Sequence, residues 1–582
     1  MIRLMRRILL LALLAWPVAP LLRSAEYAVS LRGDDRSNGS VATPWRTFAH
    51  AIAHLGPGDR LTIAGGRWAE SLVVPRLGTS EHPIVITAAV DAVVVIDGAD
   101  VLPRWTDLGH GLWEAPVADG AESGDGMLLD GDKPLPEACW PEGTIDPLAP
   151  VYASATVAAD RAVVPDLPPG NWQGGLVLGF AGPGWGAQAG RITAASTNHL
   201  TLTPAAEGAW FTGSARIRII GGAAPITPGT WRVQAGRLSI RLPAVARPEA
   251  LRWVVRPLGI DLGGARHVVV SGLRLVGCTI VAYDAEDCTI SDCHVTWPDR
   301  SWLVQPYSQE GGVRIAGARN RLLRCTVDGG TGNGISVEGR DHLIAGCTVR
   351  GVNAAGTYAA GLLVGGDGHR ILACTIGRCG RDGIHLRHDA AGHRVIDRVE
   401  VSEVGLLADD CGALYAWNQD GAGTTITRSW FHGNRAATAG PLIYFDDGSR
   451  GFTVSRVVAW DSRCGDAAVR LNGGVAEVRL AHITSFACAP VGARTYIEDG
   501  RPPPRYQSVN LAHLVDVGQA LVDPGHGIFA PRSGDTSLVD HGTSSAWSAP
   551  VIGAAPDLGA YEVGGEDWRP GAMALVPADL QR

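Results

Sequence analysis

Between Gly311 and Asn472 the chain repeats one short phrase: an apolar residue, any residue, an apolar residue, then a polar residue or glycine. Seven segments carry it, namely Val313–Ile315, Ile335–Val337, Leu362–Val364, Ile384–Leu386, Leu414–Ala416, Ile443–Phe445 and Val469–Leu471. Alternation of this kind predicts strands with one buried face. The middle residues fall at 314, 336, 363, 385, 415, 444 and 470, in steps of 22, 27, 22, 30, 29 and 26. A period of that length predicts one structural unit per repeat, stacked on its neighbours. No rung is long enough to bury its own apolar face, so the rungs must share a core. A solenoid of parallel strands satisfies all of this.

A second set of apolar pairs follows the rungs, at Leu322-Leu323, Leu343-Ile344, Ile371-Leu372 and Val395-Ile396, and continues through Ile426, Val454 and Val478. Cys293, Cys325, Cys347 and Cys374 each open a related phrase (Cys-His-Val, Cys-Thr-Val twice, Cys-Thr-Ile), one per coil. That placement predicts an internal ladder of small buried residues, not disulfides for these four. The odd total of 11 cysteines leaves at least one free thiol.

The period fails elsewhere, and the failures mark boundaries. Residues 1–25 hold Arg3, Arg6 and Arg7 followed by an uncharged stretch from Ile8 to Leu22, the pattern of a cleavable export signal. Residues 26–98 contain a short helix expected from His50 to Leu55 and the first rungs, Ile84–Ile86 and Val93–Ile96. From 99 to 255 the coil period disappears. Trp105, Trp113, Trp140, Trp172, Trp185, Trp210 and Trp231 are scattered there among short β-like runs, which predicts an inserted β-rich domain. The solenoid resumes over 256–490, and 491–582 is read as irregular final coils and a C-terminal cap.

Abundant glycine (76 residues) and a formal net charge of −8 suit a turn-rich all-β protein and argue against disorder. No basic run follows the N-terminus, so a nucleic-acid partner is not expected. Beyond the export signal no segment is long and apolar enough to cross a membrane. An exported monomer, periplasmic or extracellular, is the expectation.

Rungs stack about 4.8 Å apart, so outward residues at one coil position form columns. One column reads Arg314, Ser336, Leu363, His385, Tyr415, Tyr444, Arg470; the next reads Ala316, Glu338, Gly365, Arg387, Trp417, Asp446, Asn472. The lower coils are mostly small or apolar, and the upper four concentrate aromatic rings, carboxylates and cations. Aromatic faces beside carboxylates suit a carbohydrate, whose C–H face stacks on rings while its hydroxyls meet charged groups. His385, Arg387, Tyr415, Trp417, Tyr444, Arg470 and Asn472 are therefore the expected substrate-binding residues, with His388 and Asn418 nearby.

Glycoside hydrolysis needs two carboxyl groups, about 5–5.5 Å apart for retention or 6.5–9.5 Å for inversion. Asp446 is the first candidate, with Asp447 or Asp420 as its partner. Glu338 is four rungs away in the column order, too far to serve, and Asp409 and Asp410 are placed at the opposite end of their strand. A polysaccharide lyase or C5-epimerase is the rival reading. It needs a base and a cation for the uronate carboxylate. The only lysine, Lys133, falls in the insertion, leaving Arg387, or a His385/Tyr415 pair, for that chemistry. A hydrolase needs no cofactor or metal; the lyase reading admits Ca²⁺ at an Asp446/Asp447/Asp420 cluster. A third reading is a glycan-binding or envelope-assembly protein without chemistry.

Several phrases carry a family resemblance. Gly33-Asp34-Asp35, Pro44-Trp45-Arg46-Thr47 and Pro57-Gly58-Asp59, in that order, resemble the N-terminal signature of right-handed parallel β-helix proteins, in which a short helix plugs the open end. Met127 to Gly131 followed by Pro134 to Pro141 resembles a segment of β-helix glycosidases carrying an inserted β-sandwich or barrel. Asp409 to Asp420 and Pro441 to Gly448 resemble core phrases of β-helix glycoside hydrolases, including xylan- and pectin-side-chain-active families. Gly553 to Glu562 resembles a closing motif of secreted β-helix proteins. The chain is thus similar to carbohydrate-active proteins of the pectate-lyase-like superfamily. The resemblance implies an all-β fold: a right-handed parallel β-helix with an N-terminal helical cap and an inserted β-sandwich or barrel-like domain.

Overall fold

The computed structural model describes residues 24–571, apart from 118–120, 145, 205–211, 244–245, 306, 308–310, 390–391, 495–500, 516, 527, 534, 536, 543–553 and 564–567. The expected export signal lies almost wholly outside the described residues, as do Trp210 and part of the C-terminal region.

All seven predicted rungs lie in one parallel sheet, here called the site sheet. It has eleven strands: Leu72–Val73, Leu258–Asp261, Thr279–Glu286, Val313–Ala318, Ile335–Val337, Ala360–Val364, Asp382–Leu386, Leu414–Trp417, Ile443–Asp446, Val469–Leu471 and Val491–Ala493. The register runs Arg314, Ser336, Leu363, His385, Tyr415, Tyr444, Arg470, each opposite the next. Strand parity explains it. Every flanking apolar residue, from Val313 and Ile315 to Val469 and Leu471, is buried in one continuous core. A register slip of one residue would turn that whole set to the outside.

Two further parallel ladders complete each coil, and both run through a 21-stranded sheet. In the upper coils single long strands, such as Asp420–Asn434 and Arg450–Ser462, serve both ladders. They turn the corner at one left-handed residue per coil: Arg428, Arg456, His482 and Asn510, with φ of 45°, 54°, 51° and 56°. All eleven cysteines are unpaired. The predicted ladder contacts the coil below through sulfur, with Cys325 Sγ 3.8 Å from Ile290 O, Cys347 Sγ 3.4 Å from Leu322 O and Cys374 Sγ 3.7 Å from Ile344 O.

The N-terminal helix spans Phe48–His54. Thr47 caps it by accepting the His50 N–H, and Glu70 accepts the N–H groups of Phe48 and Ala49 at 3.0 and 2.9 Å. Those bonds satisfy amides that a helix start leaves open, and the carboxylate complements the helix dipole. Phe48 stacks on Trp68 at 4.5 Å and joins the solenoid core, so the helix closes the end of the coil stack.

The insertion leaves and re-enters between consecutive coils. Val94–Asp97 pairs with Leu273–Val276, and Leu72–Val73 pairs with Leu258–Asp261, although more than 150 residues separate the partners in sequence. Within it, six strands close a small antiparallel barrel: Ala153–Ala158, Arg161–Val163, His199–Pro204, Gln188–Ser196, Leu176–Ala181 and Gly213–Ile220. The last pairs with both the first and the fifth. The barrel has its own core around Val157, Val177, Ile192, Ile217 and Ile219. It docks on the solenoid through Leu178, Phe180, Ala187 and Ala189, which pack against Ala354, Leu407 and Ala408. This contact carries the Ala181–Ala187 turn over the upper half of the site sheet.

Candidate functional site

The docked barrel changes the character of the outward column. His385, Tyr415, Tyr444, Arg470, Asp446 and Asn472 point away from the solenoid core, yet they are buried rather than solvated. Trp417, 42% exposed, is the exception. Together with Trp185 of the barrel, Tyr307 and Tyr358, all of these except Arg470 bound a cleft of about 610 Å³.

Alternation along two adjacent strands builds its floor. In Leu414–Trp417, Leu414 and Ala416 point in and Tyr415 and Trp417 point out; in Ile443–Asp446, Ile443 and Phe445 point in and Tyr444 and Asp446 point out. Parallel register places Tyr415 beside Tyr444 and Trp417 beside Asp446. The rings of His385, Tyr415 and Tyr444 stack edge to face, with centroids 5.0 and 5.3 Å apart.

Asp446 receives three donors: Tyr415 OH at 2.9 Å, Asn472 Nδ2 at 2.5 Å and the Asp447 N–H at 2.9 Å. Donors on both oxygens suit an ionised, acceptor-only carboxylate. Asn472 Nδ2 also donates to Tyr444 OH at 2.7 Å, and Tyr444 OH donates to Asp410 Oδ1 at 3.0 Å. These contacts of 2.5, 2.7 and 3.0 Å connect the two carboxylates, so Asp446 Oδ1 and Asp410 Oδ1 lie within about 8 Å of each other. Burial, reinforced by the nearby Asp446 charge, pushes the Asp410 carboxyl above the ordinary range, against the pull of Arg381 and the Tyr444 hydroxyl. Asp447 is also pushed up by burial and by Asp446, and its ion pair with Arg501 opposes the shift. Asp447 Oδ1 and Asn472 Oδ1 are both shielded and make no hydrogen bond, leaving two acceptors at the cleft.

Arg381 ties the walls together. It is fully buried, pairs with Asp382, and lies 3.8 Å from the Tyr358 ring centroid and 4.8 Å from that of Tyr415. Its Nη2 donates to Asp410 O at 2.9 Å and its Nε to Trp185 O at 3.0 Å, linking the barrel turn to the carboxylate loop. Asp382 also accepts the Gly412 N–H and holds His385 Nδ1 at 2.9 Å. Burial lowers the His385 pKa despite Asp382, which keeps the ring neutral at pH 7.

Of the residues expected from sequence, His385, Tyr415, Trp417, Tyr444, Asp446, Asp447 and Asn472 line this cleft. Three do not. Asp420 opens the strand Asp420–Asn434 of the other sheet and is paired with Arg450 at 2.6 Å, so it neither partners Asp446 nor completes the three-Asp cluster suggested for Ca²⁺. Arg387 reaches across Gly365 to Glu338 at 2.5 Å and also meets Asp389 at 3.3 Å. Arg470 pairs with Asp466 and stacks 5.7 Å from the Tyr444 ring, acting as a support. Sequence reasoning set Asp410 aside and missed Trp185, Tyr307, Tyr358 and Arg501 as site residues. The one available signal was Asp410 itself, inside a phrase already singled out; its φ of 54° belongs to the turn that folds it toward Tyr444.

Comparison with known proteins locates the fold. Residues 258–480 match the model described as right handed beta helix region. No curated protein matches the chain by sequence. A solved structure titled "Glycoside hydrolase" is similar at 13% identity and a TM-score of 0.61, covering 75% of this chain and 93% of its own. XylC in complex with xylose is similar at 13% identity with a TM-score of 0.44, covering 86% and 88% of the two chains. Pectate lyase Pel9A, also at 13% identity, covers 93% and 96% with a TM-score of 0.31. This chain is therefore a right-handed parallel β-helix protein with a small closed barrel inserted between two successive coils.

Proposed function

We propose that the chain is an exported carbohydrate-active enzyme that hydrolyses a glycosidic bond in the cleft between the barrel and the upper site sheet. Asp410, whose carboxyl burial and the Asp446 charge push above the ordinary range, is the general acid that protonates the leaving oxygen. Asp446 is the carboxylate that acts on the anomeric carbon, directly or through water. The observation that carries this reading is the hydrogen-bonded link Asp410–Tyr444–Asn472–Asp446, which holds two carboxyls of unlike environment within the span that glycoside hydrolysis uses. Trp185, Tyr307 and Trp417 supply ring faces for a sugar, and the open acceptors Asp447 Oδ1 and Asn472 Oδ1 suit its hydroxyl groups. The shared fold with a structure titled "Glycoside hydrolase" agrees with the reading.

Charge favours hydrolysis over elimination. Three carboxyl groups line the cleft, and among the described residues Arg501, already paired with Asp447, is its one arginine. A uronate would bring a further negative charge to this surface without a neutralising cation, which elimination requires. Incubation with a panel of neutral and uronate-containing glycans tests the reading. New reducing ends without absorbance from an unsaturated uronate support hydrolysis. Unsaturated products, or binding with no product from any glycan, would contradict it.

A further inference from the structure

A second cavity, of about 110 Å³, lies where the inserted domain meets the loops of the solenoid, and it shares no lining residue with the carboxylate cleft. Strand Gly213–Ile220 forms one wall. Ile217 and Ile219 enter the barrel core, so parity turns Arg216, Arg218 and Ile220 outward toward the solenoid. Arg216 has an acceptor, the Leu407 carbonyl, and stacks 4.3 Å from the Phe180 ring. Arg218 has none. It is only 7% exposed, its guanidinium lies 4.6 Å from the Trp302 ring centroid, and its Nε is shielded without a hydrogen bond.

Two more groups in the same cavity are in the same condition. Arg300 Nη1 and Glu137 Oε1 are both shielded from solvent and unbonded, while Glu137 Oε2 accepts the Gly124 N–H at 3.0 Å. Neither arginine makes an ion pair among the described residues; Asp125 acts on Arg300 only at longer range. Burial pushes the Glu137 carboxyl up to about 8, so it is mostly protonated at neutral pH and can donate. A buried guanidinium without an anion is costly to maintain. Buried Arg218 and half-buried Arg300 both line one cavity walled by Trp231, Trp297 and Trp302, a site whose missing partner is negative and flat-faced.

We propose that this cavity binds a small ring-bearing organic carboxylate, with its carboxylate seated on Arg218 and Arg300 and its ring against the three tryptophans. A sugar acid and an aromatic acid share that chemistry. This site is independent of the hydrolysis proposed for the cleft.

Calorimetric titration of the full-length protein with D-glucuronate, benzoate and glucose tests the proposal and distinguishes the sources. One or both acids are expected to bind with a stoichiometry of one, and glucose more weakly by about tenfold or more. Arg218→Met and Arg300→Gln should each weaken acid binding roughly 10- to 100-fold, the cost of losing a charge-assisted hydrogen bond. Asp446→Asn, which disables the cleft, should leave acid binding unchanged. Arg300 lies on a half-buried loop, so Arg300→Gln provides the test even where Arg218→Met fails to fold. The proposal is overturned if neither acid binds at millimolar concentration, if glucose binds as tightly, or if folded arginine variants bind like the parent.

Discussion

The lower and upper halves of the site sheet share one parallel register and one core and differ first in what points outward. Below Leu363 the columns read Arg314, Ser336, Ala316 and Glu338; above Gly365 they read His385, Tyr415, Tyr444, Trp417, Asp446 and Asn472. Inward residues do not distinguish the halves, since Val337 and Phe445 are equally buried. The solenoid therefore separates stability from chemistry by parity: one face of each strand maintains the stack, and the other is open to specialise coil by coil. The barrel adds the second difference. Its turn at Trp185 reaches the upper coils, so polar side chains there are enclosed and coupled to one another.

The largest expected effect separates two carboxylates of the same column. Asp446→Asn should lower the hydrolytic rate by roughly 10²–10⁴-fold with the fold intact, the usual range for a carboxylate in acid–base or nucleophilic work. Glu338→Gln, two coils below Arg387, removes only a partly exposed ion pair and should leave the rate within about twofold. Equal losses in both variants would erase the distinction between halves.

The inward face should behave in the opposite way. Phe445→Ala, which also loses a 4.5 Å stack on Phe452, and Leu362→Ala should each cost about 2–5 kcal/mol in denaturant unfolding, whichever half they occupy. A much smaller cost in one half would show that the core is not continuous.

Two finer effects sharpen the picture of the upper half. Trp417→Ala should raise KM about tenfold with little change in kcat, because an exposed ring binds the sugar face without touching the reacting bond. Tyr444→Phe should move the basic limb of the pH–rate profile to higher pH. The Tyr444 hydroxyl stabilises ionised Asp410, so removing it raises the Asp410 pKa further and keeps the acid protonated longer. A shift to lower pH would contradict the assignment of that limb to Asp410.

How much of this was readable in the sequence follows from the range of each interaction. The rungs and their register were legible because strand alternation and coil period are both set within a few residues. The placement of Asp446 two residues beyond its period marker follows from the same pleat. Asp420 was misplaced because the short rung at 414–417 suggested a turn after it. The chain instead enters a 15-residue strand whose first residue pairs with Arg450. Asp410 was passed over because one left-handed turn reverses its direction, and no alternation pattern reports that. Trp185 and Tyr307 come from segments far from the upper coils in sequence. The outward column is enclosed by ring packing along the column and by the barrel turn at Trp185, so a local pattern predicted exposure where the structure has enclosure.

The central claim is that Asp410 and Asp446 work as one unit, and their double-mutant cycle tests it most directly. Asp410→Asn, Asp446→Asn and the double variant are each checked for native melting and then assayed for hydrolysis on the same glycan. Residues acting in one mechanism are strongly non-additive. Both single variants are expected to lose activity, and the double variant to be no worse than the poorer single. Full activity in folded Asp410→Asn, or losses that multiply in the double variant, would contradict that claim.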